Sequence, residues 1–388
     1  MVLHKNIKLL TWFNFFTDFR LYAPIAIIYF ARVSGSYALG MSIFSITMIS
    51  SALFEIPTGI FSDKIGRKKT VILGALLAVL YSLFYALGQS FFMLSIGALF
   101  EGLSRSFYSG NNDALLHDTL SESGNENQYD EFLGKISAMF QIALAISGLL
   151  GSFLANWSFS LIMWLSVIPQ VICLYLSFQL KELKTHSSES GNIYIHLKAA
   201  FKNFTQNKKL RLLSLTSIFG YAFGEASYQF QSAFYNTLWP VWAVGIAKTI
   251  SNIGAALSFH FSGRILRRFK GLKIIKILII DNIYNRIVNI ISTAFPTILS
   301  PLIMSTTSVF YGVTSVTKNT LMQKEFSNEQ RATMGSLNSF AGSIVFGVLA
   351  FILGFVADKV TPSKALLTLQ FFQIINLWFY WKLFNRKD

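Results

Sequence analysis

Gly59-Ile60-Phe61-Ser62-Asp63-Lys64-Ile65-Gly66-Arg67-Lys68-Lys69 is a short polar stretch set between two apolar ones. The flanking residues 38–62 and 70–88 are each long and apolar enough for a bilayer crossing, which takes roughly 20 residues. The stretch therefore joins two membrane helices. Gly59 permits close helix approach at the membrane edge, and Gly66 allows a tight turn. Asp63 stands beside a cationic run, where a paired carboxylate biases one packing of the surrounding helices.

Reading outward with the same window predicts twelve spans. The first six are 8–31, 38–62, 70–88, 91–116, 134–155 and 158–180, and the second six are 211–232, 238–262, 272–292, 296–320, 335–358 and 364–384. The chain reads as an all-α membrane protein with an N-terminal six-helix bundle over 1–180, a linker over 181–210 and a C-terminal six-helix bundle over 211–388. Within the linker, Ile193, Leu197, Phe201 and Phe204 recur at helical spacing among Lys198, Lys202, Lys208 and Lys209. That pattern predicts an amphipathic helix lying on the cytoplasmic lipid surface.

Composition excludes the main alternatives. The chain has 388 residues, 53% hydrophobic and 13% charged, with a mean hydropathy of +0.50. Soluble domains carry about a quarter charged residues, and disordered chains are far less apolar. A single cysteine, Cys173, leaves no disulfide framework. The net charge of +15 does not gather into a nucleic-acid surface. With both termini cytoplasmic, only Arg32, Lys359 and Lys364 of the 33 Lys and Arg fall in outer loops. The basic balance is thus the positive-inside signal of a multi-pass protein of the inner or plasma membrane. Lys5 and Lys8 precede an apolar stretch that contains Asp18 and Arg20, so it reads as a retained first span rather than a cleaved leader.

The loop at 59–69 resembles the signature G-x-x-x-D-[RK]-x-G-R-[RK]-[RK] of the major facilitator superfamily at every defined position. A degenerate copy, Gly263-Arg264-Ile265-Leu266-Arg267-Arg268-Phe269-Lys270, follows span eight, with Arg267 in place of the aspartate. The resemblance implies two pseudo-symmetric six-helix bundles, as in bacterial 12-helix drug and metabolite efflux members, and a monomer. It also implies a cytoplasmic gating cluster. Gly59, Asp63, Lys64, Gly66, Arg67 and Lys68 would join an acidic residue at the inner end of span four, with Asp118 placed for it and Asp113 the alternative. Two motifs of drug–proton antiporters are altered: Arg105 precedes Gly110 by five positions rather than four, and Gly148-Leu149-Leu150-Gly151-Ser152 lacks proline.

A charge at mid-bilayer costs about 2.5–3.5 kcal/mol, so each needs a reason. Asp18 and Arg20 lie near the middle of span one and, on a continuous helix, point roughly 200° apart, which denies them a local pair. Asn14, Asp18 and Tyr22 form a polar stripe expected to face a central cavity. Glu101 and Arg105 are spaced i, i+4 and pair on one helix face. Glu225, with Gln229 one turn on, and Asp18 are the candidate proton carriers or cation-binding groups, because a desolvated carboxylate can hold a proton. Polar residues of span nine, Asp281, Asn282, Asn285 and Arg286, read as staples between helices, and the hydroxyls of span ten as self-bonded to their own backbone.

No nucleotide-binding glycine loop or catalytic constellation is present, so the sequence predicts neither an enzyme nor a cofactor. His117 and His260 are too scattered to ligate a metal. The expected function is secondary active transport of a small molecule by alternating access, with protons as coupling ion, the lipid bilayer as surroundings and efflux by antiport as the mode. Symport of a metabolite, lipid flipping and non-transporting sensing are the alternatives.

Overall fold

The computed structural model describes residues 2–109, 111–122, 124–125, 129–181, 204–268, 272–325 and 331–385. The first predicted span is two helices, α1 (Val2–Asp18) and α2 (Ala26–Ser34), with a 3-10 turn at Ala23–Ile25 between them. Spans two and three are α3 (Tyr37–Ile65) and α4 (Arg67–Leu87). The fourth is again split, into α5 (Phe91–Tyr108) and α6 (Asn111–Glu122). Then come α7 (Tyr129–Ala155), α8 (Phe159–Gln179), α9 (Lys208–Tyr235), α10 (Val241–Arg268) and α11 (Leu272–Ala294). Span ten comprises α12 (Ser300–Ser305), a 3-10 segment and α13 (Tyr311–Glu325). Span eleven is α14 (Arg331–Lys359), and span twelve divides into α15 (Pro362–Gln373) and α16 (Ile375–Phe384).

Local chemistry sets the helix ends. Ser36, Ser90, Ser158 and Thr361 each accept from the backbone N–H three residues on, which satisfies a donor that the first helical turn leaves open. Gly66 ends α3 and opens α4 at φ 93°, a backbone region nearly closed to side-chain-bearing residues. The tight turn expected there is present.

Helix faces are inverted relative to a soluble protein. On α8, Leu161, Trp164, Ile168, Val171, Tyr175 and Phe178 are exposed at alternating three- and four-residue steps, while Ser166, Gln170, Cys173 and Ser177 are buried. An apolar stripe left uncovered along a whole helix faces lipid. Four stretches among the described residues, Tyr37–Glu55, Arg67–Leu87, Phe159–Gln179 and Gly335–Lys359, are long and apolar enough to cross a membrane by length and composition alone.

The chain divides into two compact units, Met1–Ser188 with Pro240–Thr249, and Glu189–Trp239 with Ile250–Asp388. The first has a core of Ile7, Leu10, Phe13, Val71, Ala75, Leu115, Leu116 and Cys173. In it, Gly245 of α10 lies where an added Cβ would be 2.2 Å from the Gly148 carbonyl of α7. The second unit is built around Leu210, Leu213, Ile275, Leu278, Met322, Tyr380 and Leu383, with Phe204 against them. The linker helix expected through Ile193, Leu197 and Phe201 lies outside the described residues.

Two expectations are corrected. Span one is not a continuous helix: α1 ends at Asp18, and Pro24, which has no N–H to return to the Arg20 carbonyl, sits in the 3-10 turn before α2. Gly59 is not a point of close approach, since a Cβ built there meets no described atom within 4 Å.

Candidate functional site

The interruption of the first span places charge. α1 stops at Asp18, and Phe19 to Tyr22 form turns held by Phe19 N–H to the Phe16 carbonyl at 3.3 Å and Ala23 N–H to the Arg20 carbonyl at 3.1 Å. Once the helix is broken, Asp18 and Arg20 no longer project in opposed directions. Arg20 Nη2 donates to Asp18 Oδ1 at 3.2 Å, a local pair that continuous helical geometry would forbid.

Arg20 also reaches α5, where its Nη1 donates to Glu101 Oε1 at 2.7 Å. Arg105, one turn further on α5, donates to the same oxygen through Nη2 at 2.7 Å and Nε at 3.1 Å. The Tyr85 hydroxyl donates to Glu101 Oε2 at 2.8 Å. Asp18, Arg20, Glu101 and Arg105 are thus one connected quartet of two negative and two positive groups. The i, i+4 pair anticipated on α5 is present, but it is half of a larger network.

Glycines let the helices approach closely enough to form it. A Cβ on Gly97 would lie 2.7 Å from the Tyr85 ring, and one on Gly102 would lie 2.4 Å from the Thr47 carbonyl of α3. These two positions bracket Glu101 and bring α4 and α3 onto its two sides. Gly151 of α7 does the same for the interruption: an added Cβ would sit 1.8 Å from the Leu21 carbonyl.

A cavity of about 340 Å³ opens beside the quartet, entirely within the first unit. Asn14, Thr17, Asp18 and Arg20 line it from the first span, and Glu101, Ser104, Arg105, Tyr108, Ser109, Asn112 and Asp113 from the fourth. Tyr81 and Gln170 complete the wall. Gln170 is fully buried on α8, and its Nε2 donates at 3.4 Å to the carbonyls of both Phe16 and Thr17 in the last turn of α1. Gln170 is not among the predicted site residues, although a glutamine after Pro169 within an apolar span was the available signal.

The other candidates are distributed as follows. Tyr22 is not on the polar stripe: beyond the interruption it turns inward, 4% exposed, against the rings of Phe30 and Tyr85. Asn14 keeps its place on the cavity wall and donates to the Leu10 carbonyl at 2.9 Å. Glu225 and Gln229 belong to the second unit, where Gln229 Nε2 donates to Glu225 Oε1 at 2.7 Å. In the motif loop, Arg67 Nε donates to Asp118 Oδ2 at 2.5 Å. Asn111 ties the same corner, accepting from Ser62 at 2.8 Å and donating to the Arg67 carbonyl at 3.0 Å. Lys68 lies in the first turn of α4, and the side chains of Asp63 and Lys64 lie outside the described residues. Asp113 lines the cavity instead of pairing with Arg67.

In the second unit Arg286 of α11 donates to Gln370 and Gln373 of α15. Gln373 in turn donates to the Phe223 carbonyl of α9 at 3.2 Å. Arg286 thus staples span nine to span twelve, which Gln373 ties to span seven, whereas Asn285 bonds Asp281 on its own helix. The hydroxyls of Thr306, Thr307, Ser308 and Thr317 in span ten do bond their own backbone.

The sequence pattern of the Major Facilitator Superfamily matches residues 9–350. An uncharacterized transporter of Buchnera aphidicola subsp. Acyrthosiphon pisum is 28% identical over 173 residues, 44% of this chain and 43% of that protein. A Na(+), Li(+), K(+)/H(+) antiporter of Planococcus maritimus is 26% identical over 183 residues, 46% of this chain and 42% of the antiporter. The alignments thus span less than half the length of these curated relatives. Among solved structures, the nucleoside transporter NupG superposes with a TM-score of 0.81 over 100% of both chains at 15% identity. A D-xylose-proton symporter gives 0.77 over 98% of this chain and 97% of its own, at 13% identity. Such identities speak to fold alone, whereas the family pattern runs through both halves of the sequence. The chain belongs to the Major Facilitator Superfamily, the multi-pass membrane transporters.

Proposed function

We propose that this transporter exports a small molecule across the cell membrane in exchange for protons, working as a monomer by alternating access, with Asp18 as the proton-carrying group. The observation that carries this reading is the neutral quartet beside a cavity. Glu101 is committed to two guanidiniums and a phenol, whereas Asp18, among the described residues, has only the longer contact to Arg20 and stands on the cavity wall. A proton arriving on Asp18 removes one negative charge, loosens the Arg20 Nη2 contact and leaves the quartet at +1. Cargo that prefers the neutral quartet then competes with that proton for one site, which is the thermodynamic condition for exchange.

The Planococcus maritimus relative, by its name an antiporter that exchanges cations for protons, supports antiport over symport. The Arg67–Asp118 pair at the α3–α4 corner is the candidate latch, holding α4 to α6 in one state and opening in the other. Both termini are assigned to the cytoplasm on the distribution of Lys and Arg.

The test is proton movement in proteoliposomes carrying an internal pH-sensitive dye, challenged with cationic, neutral and anionic compounds. The expected result is compound-triggered proton counterflow in the wild type, abolished in Asp18→Asn and retained in Glu225→Gln. Compound uptake without proton movement would overturn the coupling. Proton and compound moving in the same direction would establish symport, movement of a labelled lipid would establish a flippase, and binding without flux a sensor.

A further inference from the structure

The geometry points to a small monovalent cation as the cargo of the Asp18 cavity, held by oxygen atoms of Asp18, Gln170 and Asn112; this rests on the reading of that cavity as the transport site. Charge is the first argument. Three carboxylates line the cavity, Asp18, Glu101 and Asp113, against two guanidiniums, Arg20 and Arg105, which leaves one negative charge in excess. The quartet is internally compensated. The excess therefore belongs to Asp113, which is exposed and enters no ion pair among the described residues.

Unsatisfied oxygens are the second argument. Gln170 Oε1 and Asn112 Oδ1 are buried with no hydrogen-bond partner. The Gln170 amide cannot be turned over to relieve this, because its nitrogen faces two carbonyl oxygens. Buried acceptors without donors are few in folded proteins, and two on one cavity wall are open to an ion or another donor. Arg20 Nε, a donor, is in the same condition on this wall. The third argument is the end of α1. A helix that stops at Asp18 presents the negative end of its dipole there, and its last residues, Thr17 and Asp18, line the cavity.

Carboxylate, amide carbonyl and hydroxyl oxygens suit a hard cation, and a single excess negative charge matches a single positive one. A divalent ion would leave a positive charge uncompensated in a poorly solvated site. At about 340 Å³ the cavity holds the volume of roughly ten waters. It therefore admits an alkali ion with part of its hydration shell or a compact organic ammonium ion, which share the recognition chemistry.

Calorimetric titration of the purified full chain in detergent, in N-methylglucamine chloride, tests this with sodium, lithium, potassium, methylammonium and magnesium chlorides. Saturable binding of at least one monovalent cation and none of magnesium is expected. The affinity should fall on the order of tenfold in Asp113→Asn, a change at an exposed position that breaks no bond. Loss by a similar or larger factor is expected in Gln170→Leu. An alkali ion alone, or methylammonium alone, identifies the source. Absence of saturable monovalent binding overturns the inference; if a neutral or anionic compound still drives Asp18-dependent proton flux, the transport reading survives without it. Binding that Asp113→Asn and Gln170→Leu both leave unchanged also overturns it, because the cation then sits elsewhere. Saturable binding with no proton flux for any compound upholds the cation site and defeats the antiport reading.

Discussion

Glu101 accepts from Arg20, Arg105 and Tyr85, and its side chain is 8% exposed, so its charge is what keeps two guanidiniums in place. Removing one member of a buried charge network leaves the others uncompensated, at a cost of about 3 kcal/mol. Glu101→Gln should accordingly lower the thermal unfolding temperature measured in detergent. The double variant Glu101→Gln with Arg105→Gln should recover part of the loss, because it returns the cluster to neutrality; a double variant less stable than the single would refute a charge-balance role. At the turn between α3 and α4, Gly66→Ala forces a side chain into φ 93° and should cost about 1–3 kcal/mol. The readout is the same melt, with Gly59→Ala as a neutral control because its Cβ position is open.

At the scale of elements, the decisive feature is a helix that stops. α1 ends at Asp18, Pro24 sits without an N–H in the 3-10 turn before α2, Gln170 of α8 bonds two carbonyls in the last turn of α1, and Gly151 of α7 lets the Leu21 backbone pack against it. Gly151→Ala places a methyl 1.8 Å from the Leu21 carbonyl, so either α7 or the turn must move. The expected outcome is protein that still reaches the membrane but has lost compound-driven proton flux, with a lowered melting temperature. Unchanged flux would mean that the geometry of the interruption does not matter to transport. Pro24 stands in the sequence, yet apolar length alone reads residues 8–31 as one continuous span. The pairing of Asp18 with Arg20 was not readable there, because the 200° separation holds only while the helix continues.

At the scale of the molecule, charge is used differently in the two units. The first carries a compensated quartet beside a cavity, while the second uses Arg286 as a cross-brace between α11 and α15. Variants should divide accordingly. Arg286→Gln is expected to lower the melting temperature and membrane yield, with the remaining folded protein keeping proton-coupled flux, whereas Asp18→Asn should remove flux even from the protein that folds and reaches the membrane. Topology is tested separately: reporter fusions active only in the cytoplasm should be active at both the N- and the C-terminus. Activity at one end alone would break the even count of spans.

Spans, loop motif and charge asymmetry were legible in the chain because each depends on runs of adjacent residues: apolar length for a crossing, glycine and charge in an eleven-residue loop, Lys and Arg on one side. The resemblance to the superfamily rests on those local patterns; it implied Asp118, with Asp113 as the alternative, as partner for Arg67, and the pair formed is Arg67–Asp118. The tertiary structure alone decided that Arg20 bridges Asp18 to Glu101, that Tyr22 leaves the polar stripe, and that Gln170 joins the cavity. Those contacts link residues as far apart as Phe16 and Gln170, and they exist where Gly97, Gly102 and Gly151 let backbones approach within a side chain's width. Periodicity along one helix reports which face is polar, but not which neighbour that face will meet.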